Sequence, residues 1–205
     1  TTAYELRKHT DWITAAEFSP DGTLLATADR AGGVLLWDAA AGHETAVLAG
    51  HTQHVTAVAW RSDSQMLATA GEDGTLRLWD RTGKQLKSAG AHGGVLAIDF
   101  HRDGRLLSAG RDRVVKLWDG ELKHLADLTT MDDAALAVRF THDGVAAIVG
   151  DWSGAVRVVG VESRETLRTL APNPAPLARR LELAQQECDA RRAACEQATA
   201  ALAEA

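Results

Sequence analysis

Three near-copies of one segment recur along the chain: GGVLLWD ends at Asp38, GTLRLWD at Asp80 and VVKLWD at Asp119. A weaker fourth copy, GAVRVVG, ends at Gly160. Trp37, Trp79 and Trp118 are spaced by 42 and 39 residues, and Val159 follows 41 residues after Trp118. Self-similarity at this period is the mark of an array of supersecondary units. Each unit is too thin to bury its own apolar faces and is stable only against its neighbours. An array of this kind presents a surface to partners, and the repeat itself does not say which partner.

Within the second repeat, VTAVAW (55–60), MLATAG (66–71) and TLRLWD (75–80) are short apolar runs. They are separated by the turn sequences RSDS and EDG. A more polar piece, QLKSA (85–89), follows RTGK. Short runs at even spacing split by Asp-Gly and Asp-Ser pairs predict hairpin-linked antiparallel strands, the polar fourth being the outer edge. ITAAEF, AIDF and AVRF supply the matching first strands, ending at Phe18, Phe100 and Phe140. Asp21-Gly22, Asp103-Gly104 and Asp143-Gly144 supply the first turns. The fold class is all-β, with about four four-stranded antiparallel units.

Over residues 4–170 the chain resembles the WD-repeat (WD40) β-propeller family. In that family a histidine, a Ser or Thr, a turn Asp and the Trp form a hydrogen-bonded chain inside each blade. The resemblance implies complete sets in the second repeat (His51, Thr69, Asp73, Trp79) and the third (His92, Ser108, Asp112, Trp118). The first has His9, Thr27 and Trp37, with Ala31 where the Asp is expected. The fourth has Val149, Ser153 and Val159 and no histidine, so its wiring is expected to be absent. The physical reason for such a set is general: a buried Trp N–H needs an acceptor, and a buried polar group left unpaired costs about 1–3 kcal/mol.

The family offset also makes YELRKH (4–9) an outer strand of a preceding blade, while ETLRTL (165–170) completes the fourth blade. That is one strand too many for a closed four-blade ring. The favoured expectation is that further blades lie upstream of Thr1 in a seven-bladed or larger ring. An open four-blade arc and two copies forming an eight-blade ring are the alternatives. APNPAP (171–176) reads as an extended Pro-rich linker. The Ala-rich segment 177–205 lacks Gly and Pro and is expected to be helical. Its heptad stripes are Leu181, Cys188, Cys195, Leu202 and Leu177, Ala184, Arg191, Ala198, a weak pairing signal. The two cysteines lie too far apart along one helix to bond to each other.

Function is constrained from several sides. A net charge of -6 argues against generic nucleic-acid binding, and no apolar run is long enough to span a bilayer. His9, His51 and His92 recur with the period and read as structural, as do the turn formers Asp38, Asp80 and Asp119. His43, His124 and His142 fall in turns or on an outer strand. The pair His51 and His54, and His101 near Asp103, suggest metal only by proximity, and no metal or cofactor is expected. No nucleophile elbow, phosphate loop or metalloprotease motif is present, so no enzyme activity is expected. By resemblance, the positions crowding the top opening of the ring carry Trp12, Thr14 and Arg30; His54, Thr56 and Glu72; Gly94, Leu96 and Arg111; and Ala134, Leu136 and Trp152. These vary while the frame repeats. The expected function is a noncatalytic scaffold binding a protein or peptide through Trp12, Arg30, His54, Glu72, Arg111 and Trp152. The alternative is a scaffold arm of a larger bacterial envelope protein whose cytochrome c-type or other enzymatic domain lies outside this chain. Self-association through the helix or by completing the propeller is a further expectation. The compartment, cytoplasmic or periplasmic, is not legible.

Overall fold

A computed structural model describes residues 5–170 and, in the C-terminal segment, residues 181, 182, 184–186, 188, 189, 191 and 192. Among the described residues sixteen strands form four separate four-stranded antiparallel sheets. Blade 1 holds β1 (Ile13–Phe18), β2 (Leu24–Asp29), β3 (Val34–Asp38) and β4 (Glu44–Val47). Blade 2 holds β5 (Val55–Trp60), β6 (Met66–Gly71), β7 (Thr75–Asp80) and β8 (Gln85–Gly90). Blade 3 holds β9 (Val95–Phe100), β10 (Leu106–Gly110), β11 (Val114–Trp118) and β12 (His124–Thr130). Blade 4 holds β13 (Ala135–Phe140), β14 (Ala146–Asp151), β15 (Val156–Gly160) and β16 (Thr166–Leu170). Every blade pairs its strands in sequence order, as a meander with short turns requires.

The expected strands appear within two residues of their sequence boundaries, with one exception. Residues 5–9, expected as an outer strand, form no ladder. All four sheets already have their outer strand, so this segment has no third strand to pair with. In the C-terminal segment, the described positions are helical and exposed, including Leu181, Ala184, Cys188 and Arg191. The linker 171–176 and the stripe positions Leu177, Cys195, Ala198 and Leu202 lie outside the described residues.

Burial follows the blade junctions. Blade 1 packs on blade 2 through Ala26, Leu36 and Val34 against Val55, Val58 and Trp60. Blade 2 packs on blade 3 through Ala68 and Leu78 against Val95 and Ile98. Blade 3 packs on blade 4 through Leu107 and Leu117 against Ala135 and Val138. Among the described residues no such cluster joins blade 4 to blade 1. Small Ala side chains on the second strands let the sheets approach, while the branched residues opposite fill the gap.

Inside blades 1, 2 and 3 the buried tryptophan is wired as the resemblance implies. Trp79 Nε1–H donates to Thr69 Oγ1 at 2.9 Å, which lies 2.8 Å from His51 Nε2. His51 Nδ1 lies 2.9 Å from Asp73 Oδ2. The directions follow from the donors: the hydroxyl gives its hydrogen to Nε2, so the neutral imidazole carries its proton on Nδ1 and gives it to the carboxylate. Burial holds the His51 and His92 imidazoles below their ordinary pKa, in keeping with that neutral form. At Asp73 burial works to raise the pKa. Hydrogen bonds from the Thr75 side chain and backbone, the Thr52 N–H and His51 outweigh it and hold the carboxyl at about 2. Blade 3 repeats the chain through Trp118, Ser108, His92 and Asp112.

Blade 1 corrects the expectation that its set lacks an acid. Asp29, at the end of β2, accepts from His9 Nδ1 at 2.7 Å, and His9 Nε2 lies 2.6 Å from Thr27 Oγ1. Its other oxygen accepts the N–H groups of Ala31 and Gly33, which closes the turn. Asp29 occupies the register position of Gly71. A side chain at Gly33 would sit 2.7 Å from the Asp29 carboxylate, and one at Gly71 would sit 2.8 Å from His51. In blade 1 the acid thus stands at the strand end, where blade 2 has Gly71, while Ala31 holds the turn position of Asp73, and one carboxylate still reaches one imidazole. Blade 4 keeps the blade 1 form in Asp151 but has no histidine to meet it, and Asp151 Oδ2 is buried without a hydrogen-bond partner.

Removing the acid from a wired blade leaves an imidazole N–H and a turn unpaired. Asp29→Ala and Asp73→Ala are each expected to cost about 2 kcal/mol, or roughly 4–8 °C of melting temperature in a chain this size. Asp151→Ala, which strands no imidazole, is expected to cost clearly less. Thermal melts of the three variants check this, and equal losses would show that the imidazole contact contributes nothing. Arg113 holds φ +70° in an exposed turn where blade 2 has Gly74 at φ +79°. Arg113→Gly is expected to raise the melting temperature by a few degrees, because a left-handed non-Gly residue costs about 1–2 kcal/mol.

Candidate functional site

The same backbone bond recurs on one rim of all four blades. The N–H of Arg30, Glu72, Arg111 and Trp152 donates to the carbonyl of Trp12, His54, Gly94 and Ala134 respectively, at 2.8–3.0 Å. Each bond joins the entry of a blade's inner strand to the turn after its second strand. The expected partner-binding residues therefore share one rim, at one register position per blade.

Their side chains are not equally available. Trp12 is 76 % exposed, and the Arg30 guanidinium lies over its ring, 5.8 Å from the centroid. Arg111 reaches back across the junction to an ion pair with Glu72. Gly94 permits that reach, because a side chain there would stand 3.1 Å from the Arg111 stem. His54 is half-buried, and its Nε2 is buried without a hydrogen-bond partner, so it presents little free surface. Trp152 is 72 % exposed, and its indole has no hydrogen-bond, ring or cation partner among the described residues.

The threonines expected at the top opening are instead part of the frame. Thr14 Oγ1 donates to Val55 O at 2.5 Å and Thr56 Oγ1 to Val95 O at 2.8 Å, which seals the first two junctions at the rim. At the third junction the equivalent residue is Leu96, which has no hydroxyl to give, and Leu136 follows in blade 4. A cleft of about 500 Å³ opens there, lined by Leu96, Arg111, Asp133, Ala134, Leu136 and Trp152. Asp133 was not anticipated from the sequence, because it falls in the loop before β13 and outside the repeated register.

The concave side carries a second feature that sequence reasoning missed. The inner strands β1, β5, β9 and β13 line a channel of about 450 Å³ that includes Glu17 and Arg139. Asp99, at the same register position as those two, accepts from Arg139 Nη1 at 2.6 Å and from the Phe140 N–H at 2.7 Å. Burial pushes the Glu17 carboxyl up to about 7; nearby Arg139 works against the rise and Asp99 with it. The only sequence signal was positional: Glu17 stands where blade 2 has Ala59.

His101 Nδ1 lies 3.0 Å from Asp103 and its ring packs on Phe140, a contact across the third junction. Among the described residues no group of three or more His, Cys, Asp or Glu side chains converges on a point. No described helix is long and apolar enough to cross a membrane.

Glu17 gives a pH dependence with a definite sign. Its folded pKa is raised, so above the ordinary carboxylate pKa the unfolded chain releases the proton more readily and folding loses stability as pH rises towards 7. Glu17→Gln removes that loss. The variant is expected to melt close to the wild type at pH 5 and a few degrees above it at pH 8, the partial exposure of the group limiting the gain. A melting difference that does not change with pH would show that Glu17 is ionised at both.

Comparison with known proteins agrees with this architecture. The family profile described as "WD domain, G-beta repeat" matches residues 1–38, 42–80 and 83–119, more than half of the chain. WD repeat-containing protein 90 of Homo sapiens is 39% identical over 75 residues, 36% of this chain and 4% of that protein. The solved structure of U3-55K has a TM-score of 0.73 at 24% identity, covering 79% of this chain and 53% of that one. The crystal structure of the RRP9 WD40 repeats gives the same TM-score and identity over 79% and 52%. The chain thus spans about half the length of these solved chains and a small part of the curated relative. On the profile match and the blade geometry together, the chain belongs to the WD40 repeat family.

Proposed function

We propose that this chain is a noncatalytic interaction platform that captures a peptide segment of a partner protein on its top rim. WD40 scaffolds are in general protein-interaction platforms, and the rim of this one carries the residues suited to the task. The observation that carries the reading is Trp152, an exposed indole without a partner beside an apolar cleft edged by Arg111 and Asp133. Tryptophan and arginine are the side chains that most often dominate binding energy. The two leucines offer an apolar seat, and Arg111 and Asp133 offer one charge of each sign to a peptide backbone or to charged flanking residues.

Glu72 holds Arg111 in place at the cleft edge, so it acts on the peptide through Arg111. Trp12 and Arg30, already stacked on each other in blade 1, form a second patch further along the rim that an extended segment would reach. His54 contributes through its backbone, which fixes Glu72.

A displayed library of random peptides, selected on the full chain, tests this. The combined substitution Arg111→Ala and Trp152→Ala is expected to weaken the selected peptides about 30-fold or more, the loss of one strong anchor. It should leave the melting temperature within a degree or two, since both side chains are exposed. Selected peptides that bind the double variant as tightly as the wild type would remove the cleft from the binding surface.

A further inference from the structure

Blades 1 and 4 build the same rim corner from different side chains. In both, an Asp accepts the N–H of the residue that follows it at 2.7 Å: Asp11 from Trp12, and Asp133 from Ala134. In both, the carbonyl of that following residue accepts the N–H of a turn residue at 3.0 Å: Trp12 from Arg30, and Ala134 from Trp152. The strand register agrees, with Ile13 opposite Asp29 and Ala135 opposite Asp151. Asp133 thus stands where blade 1 has Asp11, Ala134 where it has Trp12, and Trp152 where it has Arg30.

Blade 1 fills its corner with its own groups. The Arg30 guanidinium lies over the Trp12 ring, 5.8 Å from the centroid, and Asp11 is the next residue in the chain. Blade 4 has the ring and the carboxylate and lacks the cation. Ala134 is too short to cover Trp152, whose indole is 72 % exposed. Asp133 is exposed, and among the described residues no Lys, Arg or His side chain pairs with it; Arg157 pairs with Asp132 instead. Arg111 lines the same cleft but is held across the junction by Glu72. The exposure belongs to the rim position and not to the place of blade 4 in the array. Arg111, the counterpart of Trp152 in a blade flanked on both sides, keeps a side chain 58% exposed.

Given capture of a peptide at this rim, the reading on which this depends, we propose that the cleft receives an arginine of the partner, its guanidinium laid on Trp152 and paired with Asp133. A planar guanidinium satisfies both groups at once, with its flat face to the indole and its N–H fork to the carboxylate. Leu96 and Leu136 leave an apolar wall for the residue beside the arginine, and a cleft of about 500 Å³ has room for both. Charge selects the sign. With Arg111 engaged by Glu72, Asp133 is the charge lining the cleft that has no counter-ion among the described residues. The net charge of -6 draws basic segments towards the chain as a whole.

Two displayed peptide libraries, one with a fixed central arginine and one with a fixed central glutamate, are selected on the full chain, and fluorescence anisotropy measures the binders. The arginine library is expected to supply the tighter binders. Citrulline in place of the arginine keeps the shape and removes the charge, and is expected to weaken binding about 10-fold or more, lysine by a smaller factor. Asp133→Asn keeps an acceptor for the Ala134 N–H, so the melting temperature should hold. It is expected to weaken arginine peptides about 10-fold and citrulline peptides hardly at all, the signature of two groups in direct contact. Glutamate peptides that bind as tightly as arginine peptides would overturn the proposal. Peptides that need Arg111 and Trp152 yet keep their affinity with citrulline would overturn the arginine seat and leave the rim reading standing. Peptides indifferent to the combined Arg111→Ala and Trp152→Ala substitution, or libraries that yield no binder, would overturn both.

Discussion

A four-stranded sheet with two apolar faces cannot bury both by itself, and every other feature of this chain depends on how that constraint is met. Each blade supplies small residues on one face, Ala26 or Ala68, and branched or aromatic residues on the other, Val58 or Trp60. Stacking joins unlike faces, so the array has a direction and a fixed step. The strand register, the wired tryptophans and the common rim all follow from repeating that step. A β-array of this type draws its stability from nearest-neighbour burial.

The wiring shows what a linear motif can and cannot convey. Blades 2 and 3 were legible because His, Ser or Thr, Asp and Trp stand at the family spacing. Blade 1 was not, because its carboxylate comes from Asp29 and the turn position holds Ala31. Space decides the matter: the imidazole needs one acceptor, and either the strand end or the turn can supply it if the other position is small. A motif read position by position counts the acid as missing, whereas the requirement that the His9 N–H be satisfied finds it two residues away.

The strands, turns and the common rim could be read from the sequence because they depend on neighbours within one repeat. The state of the rim side chains could not, because it is set by contacts across junctions, between residues about forty apart. Arg111 is held in an ion pair by Glu72 of the previous blade while its side chain stays more than half exposed. Thr14 and Thr56, equivalent in sequence to Leu96, are spent on sealing the junctions ahead of them. Glu17 looked like any alternating polar residue of a strand. It becomes chemically distinct only because β1 lines the channel, where burial, Arg139 and the nearby Asp99 act on its carboxyl.

Blade 4 combines these themes. Its Val149 and Val159 replace a hydroxyl and an indole together, so neither a donor nor an acceptor is stranded, and paired loss of this kind costs far less than losing one partner alone. The surviving Asp151 still closes its turn through Ser153 and Ala155, with one oxygen left idle. The blade so released from the tryptophan wiring is the one that carries Trp152 on its rim and Leu136 in the cleft. A tryptophan held inside blades 1 to 3 serves the frame, whereas the frame position of blade 4 holds Val159 and its tryptophan, Trp152, stands exposed at the rim. The three wired blades fix the register of the rim. The fourth, relieved of that task, is free to differ from them, and on a repeated frame the surfaces that differ are the ones that can distinguish one partner from another.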